Sequence, residues 1–237
     1  MKLYEDAHVY TLLTPPSDYE EEAAVYLAHL RHHLGTAPFQ LLELGCGPGH
    51  NAMWFANVQL TLVDRSPTML ARAQDNLPHA VVEEGDMRSV RLGRTFDAVF
   101  VHDAVCHLTT LDDIQALMHT IAAHLRPGGC ALIVPDYVQE TFATHTECGG
   151  SDDGEEGVRY LSWVWQAPDQ TTTYTVDYVV MHRQGTAPPV VFEDRHLEGL
   201  FSKQAWLDAM TAAGLDARVV HQGGIGDDTA FFGVLPV

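Results

Sequence analysis

Two acids, a glycine turn and a histidine-bearing corner recur in this chain at intervals that suit handling a nucleoside and moving a proton. Leu41-Leu-Glu43-Leu-Gly45-Cys46-Gly47-Pro-Gly49 runs an apolar strand straight into a glycine turn, and a second strand closes on Leu62-Val-Asp64. Glycines let backbone N–H groups approach a ligand where side chains would collide. An acid ending the next strand is placed to accept hydrogen bonds from ribose hydroxyls. This is the plan of a nucleoside-cofactor site. The spacing Gly45-x-Gly47-x-Gly49 departs from the dinucleotide pattern, whose third glycine would fall on His50. Further along come Gly85-Asp86-Met87, the corner His102-Asp103-Ala-Val-Cys-His107, and Asp136 after an apolar run. The best metal-ligand types, His102, His107, His145 and Cys148, match no standard spacing, and no metal is expected.

These residues need strands to carry them. Phe39–Leu44, Leu60–Val63, Ala80–Glu83, Phe96–Val101 and Cys130–Val134 read as five strands, each acid falling at a carboxyl end. Between them, Ser66-Pro67 caps one helix, and Thr110-Leu-Asp-Asp113 caps another whose Ile114, Leu117, Met118, Ile121 and Leu125 keep helical spacing. Strand and helix alternate, which predicts a doubly wound parallel α/β sheet binding its ligand along the carboxyl edge. Before the sheet, residues 1–16 read as irregular, and Ser17-Asp-Tyr-Glu20 reads as a capping box opening a helix to Leu34. After Pro135 the rhythm changes. Residues 143–157 read as a flexible acidic loop, and Val158–Trp165, Thr172–Val180 and Val190–His196 alternate as an antiparallel sheet. A helix over Ser202–Ala213 and two closing strands end the chain. Tyr160, Trp163, Trp165, Tyr174 and Tyr178 suit an aromatic acceptor cage, but aromatics at strand spacing more often fill a sheet face.

With these motifs in order, the chain resembles the class I S-adenosylmethionine-dependent methyltransferases over essentially its whole length. Glu43-Leu-Gly-Cys-Gly-Pro-Gly49 is similar to their first motif and Arg126-Pro-Gly-Gly129 to their late structural motif. Within that superfamily it resembles the deoxyaminosugar N,N-dimethyltransferases of macrolide biosynthesis, through Tyr4-Glu-Asp-Ala-His-Val-Tyr10, Gly85-Asp-Met-Arg88, Arg91-Leu-Gly-Arg-x-Phe96 and Asp194-x-His196…Leu200-Phe201. Segment 137–190 departs from that pattern.

The resemblance implies a Rossmann-like, mostly parallel seven-stranded sheet with an inserted antiparallel sheet. It divides one domain into a helical cap (1–36), a cofactor-binding core (37–136), an acceptor-binding insertion (137–200) and a closing helix with strands (201–237). S-adenosylmethionine would lie against Tyr10, Glu43, Gly45, Cys46, Gly47, Asp64, Arg65, Met69, Asp86, Met87 and His102. Asp64 would take the ribose, and Asp86 with Met87 the adenine. His107 would face the reacting amine as proton acceptor or relay, and Tyr10 would close over the methionine end. Asp103, Asp136, Arg195 and His196 would meet the acceptor. A nicotinamide-dependent oxidoreductase and a non-catalytic S-adenosylmethionine-binding protein are the competing readings.

Composition narrows the partners. Lysine occurs at positions 2 and 203 only, and the formal charge is −19. Such a surface repels phosphate backbones, which weighs against a nucleic-acid substrate and favours a small molecule. No apolar run approaches the roughly 20 residues that span a bilayer, and the N-terminus lacks a signal-peptide pattern, so no membrane partner and a cytoplasmic location are expected. Cys46, Cys106, Cys130 and Cys148 show no disulfide spacing and read as free thiols. The edge of the antiparallel sheet offers a surface for a monomer to become a homodimer.

Overall fold

A computed structural model describes residues 2–222 and 229–237. Helices α1 (Ala7–Leu13) and α2 (Glu20–Leu34) precede the alternating core. There β1 (Phe39–Leu44), β2 (Val58–Asp64), β3 (Val81–Glu84), β4 (Phe96–His102) and β5 (Leu125–Val134) are interleaved with α3 (Pro67–Asn76) and α4 (Leu111–His124). Next come β6 (His145–Gly149), β7 (Asp152–Asp153), β8 (Glu156–Trp165), β9 (Thr173–Gln184) and β10 (Val190–Gly199), then α5 (Lys203–Ala212), β11 (Asp216–Val220) and β12 (Ala230–Val234). No described helix is long and apolar enough to cross a membrane.

The main sheet has seven strands in the order β11-β12-β5-β4-β1-β2-β3. β1 pairs in parallel with β2 and β4, as do β2 with β3 and β4 with β5, while β12 runs antiparallel to both its neighbours. Chain order reverses between β1 and β4, where open α/β sheets leave a crevice for ligand. The central strands are apolar on both sides because helices cover both faces. Leu42, Leu44, Val99 and Val101 join Ile114, Leu117 and Trp206 from α4 and α5 on one face. Leu41, Ala98 and Phe100 join Tyr26, Leu27 and Leu30 from α2 on the other.

The predicted caps at Ser66 and Thr110 are present, their hydroxyls accepting from Met69 N and Asp113 N. The capping box at Ser17 is not. Pro16–Tyr19 winds as a 3-10 turn, Ser17 Oγ turns to Asp18, and α2 starts at Glu20 without a side-chain cap. The segment expected to be irregular is structured in its described part, residues 2–16: Asp6 caps α1 through His8 N and Val9 N. Nor is 143–157 an open loop, since β6 and β7 pair with β8.

The second sheet runs β10-β9-β8-β6, with β7 beside β8, all antiparallel. Its inner face carries Val158 and Val180, against which Leu3, Val9 and Leu12 of the N-terminal segment pack. Its outer face leaves Leu161, Trp163, Val179, Met181, Val191 and Leu197 exposed, Trp163 by 51%.

Candidate active site

The carboxyl ends of the main strands, the N-terminal segment and the inner face of the second sheet enclose a cavity of about 630 Å³. Its floor is the glycine turn. Gly45 N and Cys46 N both donate to Val63 O, which ties the end of β1 to β2. Gly45 holds φ +74°, and a Cβ there would come within 2.3 Å of the Ala104 Cβ, so only glycine lets the ends of β1 and β4 meet. Gly47, at φ +52°, has open space where its Cβ would stand. The Asp64 carboxylate accepts from Gly47 N (2.9 Å) and Ser66 N (2.8 Å), which fixes its direction at the rim of the turn.

Glu43 is buried beneath this turn, and its Oε2 has no hydrogen-bond partner. Burial, and then the charge of Asp64, push its carboxyl up to about 8. A buried acceptor left open in this way is suited to a positively charged ligand group. Asp86 lies at the opposite end, where Arg88 grips it through Nε and Nη2 and reaches on to Asp113. Those hydrogen bonds hold the Asp86 carboxyl below its ordinary range. Met69, Met87 and Arg65 also line the cavity.

The corner after β4 shapes the other arm. Asp103 takes φ +49°, an uncommon backbone for a non-glycine residue and of the kind that functional sites retain. His102 is held between Asn51 Nδ2 (3.1 Å to Nδ1) and Asp103 Oδ1 (3.0 Å from Nε2), and burial lowers its pKa. Asp103 and Asp136 hydrogen-bond to each other, and their depth in the cavity raises both above the usual carboxylate range. His107 closes the corner. Burial lowers its pKa, so the imidazole is neutral near pH 7, and Nδ1 lies 3.7 Å from the Cys106 sulfur. Tyr4 sits edge-on to His107, stacks on His196 and meets Tyr10 in a tilted contact, with ring centroids 5.4 Å apart in each case. The Tyr10 phenol is raised above its ordinary value by its depth, which keeps it a neutral hydroxyl able to hydrogen-bond but not a base.

All of the expected cofactor residues, together with His107, Asp103 and Asp136, thus meet at one cavity. Arg195 does not. It lies on the outer face of β10, its side chain 69% exposed and ion-paired with Asp177. His196 is on the inner face but buried behind the wall, paired with Asp194. Of the aromatics, Tyr160 and Tyr178 reach the cavity, whereas Tyr174 is core and Trp163 faces outward. Sequence reasoning missed Tyr4, Tyr19, His50, Asn51 and Glu198, all of which line the cavity. His50 and Asn51 directly follow the glycine turn, and Glu198 is one strand period beyond His196, so position alone marked them. Cys106, His107 and Glu198 bring ligand-type atoms within 4.8 Å of one another, a grouping different from the histidine set considered from spacing.

A methyltransferase-domain family model matches residues 41–129, from β1 into β5. The chain is 31% identical, over 93% of its length and 95% of the relative's, to the dTDP-3-amino-3,4,6-trideoxy-alpha-D-glucopyranose N,N-dimethyltransferase of Streptomyces venezuelae. It is 30% identical, over 87% of its length and 81% of the relative's, to the dTDP-3-amino-3,6-dideoxy-alpha-D-glucopyranose N,N-dimethyltransferase of Streptomyces fradiae. The chain belongs to the S-adenosylmethionine-dependent methyltransferases. The methyltransferase superposes on the crystal structure of Streptomyces venezuelae DesVI with a TM-score of 0.86 at 28% identity, covering 98% of each chain. CalS10 of Micromonospora echinaspora, an amino pentose methyltransferase solved with S-adenosylmethionine bound, gives 0.80 at 27% identity, with 92% and 91% covered. The oxidoreductase alternative has no support beside these matches. The methyltransferase's glycine turn, its open Gly47 face and the unpartnered Glu43 carboxyl all fit a cofactor with a ribose and cationic groups.

Proposed function

We propose that the protein methylates the amino nitrogen of a deoxyaminosugar, with Asp64 holding the cofactor's ribose, Asp86 and the Met87 backbone its adenine, and Glu43 its cationic methionine end. The observation that carries this reading is the joining, in one cavity, of the strand-end acids with a neutral His107 at the acceptor arm. When bound, S-adenosylmethionine supplies a methyl group already made electrophilic by its sulfonium, so the chain need only align, desolvate and deprotonate the nucleophile. An ammonium has no free lone pair. His107, whose Nδ1 faces Cys106, offers Nε2 to take that proton, and the Tyr10 hydroxyl oxygen orients the amine by accepting from one of its N–H groups, which leaves the lone pair free. Tyr4, Tyr10 and Tyr19 roof the cavity from the N-terminal cap and restrict water.

Calorimetric titration with S-adenosylmethionine and S-adenosylhomocysteine tests the cofactor half. Micromolar binding that Asp64→Ala weakens at least tenfold is the expected result, and absence of binding to the wild type would remove the whole assignment. For the assembly, we propose a homodimer in which the apolar outer face of the second sheet covers itself about a two-fold axis. Its exposed Leu161, Trp163, Val179 and Met181 form a patch of the kind monomers seldom leave to solvent.

A further inference from the structure

Among the described residues, Cys106, His107 and Glu198 bring a thiol sulfur, an imidazole nitrogen and a carboxylate oxygen within 4.8 Å of one another. All three line the cavity at its acceptor arm. Cys106 and His107 are neighbours in the 3-10 turn Ala104–His107 that follows β4, and Glu198 comes from β10 of the second sheet. Backbone bonds hold the turn, with Cys106 N donating to Asp103 O and Leu108 N to Val105 O. The Cys106 sulfur and His107 Nδ1 are 3.7 Å apart. In a tetrahedral zinc site, bonds of about 2.3 Å to sulfur and about 2.0–2.1 Å to nitrogen set those two atoms about 3.6 Å apart. The separation already present is that of a tetrahedral edge.

The ligand types agree with the distance. Thiolate with imidazole selects Zn²⁺ over Mg²⁺ and Ca²⁺, which take oxygen ligands. One thiolate, one carboxylate and a neutral imidazole bring Zn²⁺ to zero net charge, so the complex suits a buried place where a bare ion would not. Cys106 and Glu198 are both buried. Behind Glu198 lies His196, its side chain fully buried, with Nε2 3.1 Å from Asp194 Oδ2 and Nδ1 facing Glu198 Oε1 at 3.4 Å. That Nδ1 has no hydrogen-bond partner. It occupies the place from which a second residue orients a metal-bound carboxylate, and Asp194 is tied in turn to Leu3 N. Three protein ligands leave one tetrahedral position, which the cavity supplies.

We propose that Zn²⁺ binds reversibly to Cys106, His107 and Glu198 and there stops methyl transfer. This rests on the methyl-transfer reading of the same cavity and adds a metal control to it. As the sulfur–zinc bond forms, the Cys106 S–H bond breaks and its proton passes to solvent. His107 gives Nδ1 to the metal, and its single ring proton then sits on Nε2, the nitrogen assigned to take the proton of the acceptor ammonium. The fourth position takes the acceptor's amino nitrogen through the same lone pair that would attack the methyl group. Zn²⁺ therefore opposes methylation both at the base and at the nucleophile, and it leaves the cofactor's acids Glu43, Asp64 and Asp86 untouched.

Co²⁺ is the probe that reports the ligands. Added to EDTA-treated protein, one Co²⁺ per chain should give thiolate-to-metal charge-transfer absorption in the near ultraviolet, which Zn²⁺ should displace. Cys106→Ser should abolish the band, whereas Cys148→Ser, at an exposed thiol outside the cavity, should keep it. Glu198→Gln should weaken Zn²⁺ binding at least tenfold in calorimetry, with S-adenosylhomocysteine affinity retained. Zn²⁺ at the concentration that fills the site should lower turnover of an aminosugar acceptor at least tenfold, and EDTA should restore it. No charge-transfer band from the wild type, or a band kept by Cys106→Ser and lost in Cys148→Ser, would overturn the site. Full turnover with the site filled would overturn the control. Either result leaves methyl transfer standing. A wild type that shows the band and binds S-adenosylhomocysteine but methylates no aminosugar would instead sink the acceptor reading and leave the metal site intact.

Discussion

At the scale of single residues, the candidate site gathers groups whose pKa values burial has displaced from their ordinary ranges. His107 is kept neutral by burial, so it can accept a proton at neutral pH. His107→Ala should lower kcat by about 10- to 1000-fold, with S-adenosylhomocysteine affinity intact, because alignment supplies most of the acceleration. A loss beyond about 10⁴-fold in stopped-time assays would mean obligatory general-base catalysis. Glu43 makes the second case. Without a cation its carboxyl titrates at about 8, so it is mostly protonated at pH 7. A bound cation favours the carboxylate, and binding at pH 7 therefore releases a proton. Affinity for S-adenosylmethionine should rise as pH approaches 8 and level off above it. Titrations in two buffers of different ionisation enthalpy measure the released proton, and Glu43→Gln should abolish it.

At the scale of elements, the acceptor arm depends on how closely the second sheet approaches the β4 corner. Gly199, the last residue of β10, would place a Cβ 2.0 Å from Leu108 O and 2.7 Å from the Phe201 ring. Leu108 follows His107 directly, so β10 buttresses the turn that carries the imidazole. Gly199→Ala should force that turn outward at a cost of about 1–3 kcal/mol. For a chain of this size the melting temperature should then fall by about 2–4 °C per kcal/mol. The same variant should lower kcat more than it weakens S-adenosylhomocysteine binding, since the glycine turn and Asp64 lie on other strands. Equal losses in both would show that the corner and the cofactor floor move as one piece.

At the scale of the whole molecule, the two sheets divide the work. The parallel sheet supplies the ligand-binding edge, and the antiparallel sheet contributes one wall of the cavity while leaving an apolar face outside. That division predicts a dimer joined away from the active site. Trp163→Asp should convert it to a monomer in light scattering after gel filtration, while S-adenosylhomocysteine binding stays unchanged. A wild type that is monomeric at high micromolar concentration would refute that assembly. The formal charge of −19 then spreads over the remaining surface, where it favours small cationic acceptors over polyanions.

Much of this organisation was legible in one dimension, because strand burial on both faces, glycine turns and helix caps leave local patterns. The strand-end acids Glu43, Asp64, Asp86, Asp103 and Asp136 and the corner at His107 could be placed from order alone, since each ends a strand of a sheet whose edge binds ligand. Local patterns failed where distant partners decide. Ser17 did not cap, because Pro16 started a tighter turn; residues 143–157 became strands, because β8 offered an edge to pair with. Alternation along β10 told Arg195 from His196 but not which face meets the cavity. Tertiary packing turned Arg195 outward to Asp177 and brought Glu198 into the acceptor arm. Tyr4, Tyr19, His50 and Asn51 likewise became site residues only when the N-terminal segment folded back over the glycine turn, since contacts at long sequence separation leave no periodicity to read.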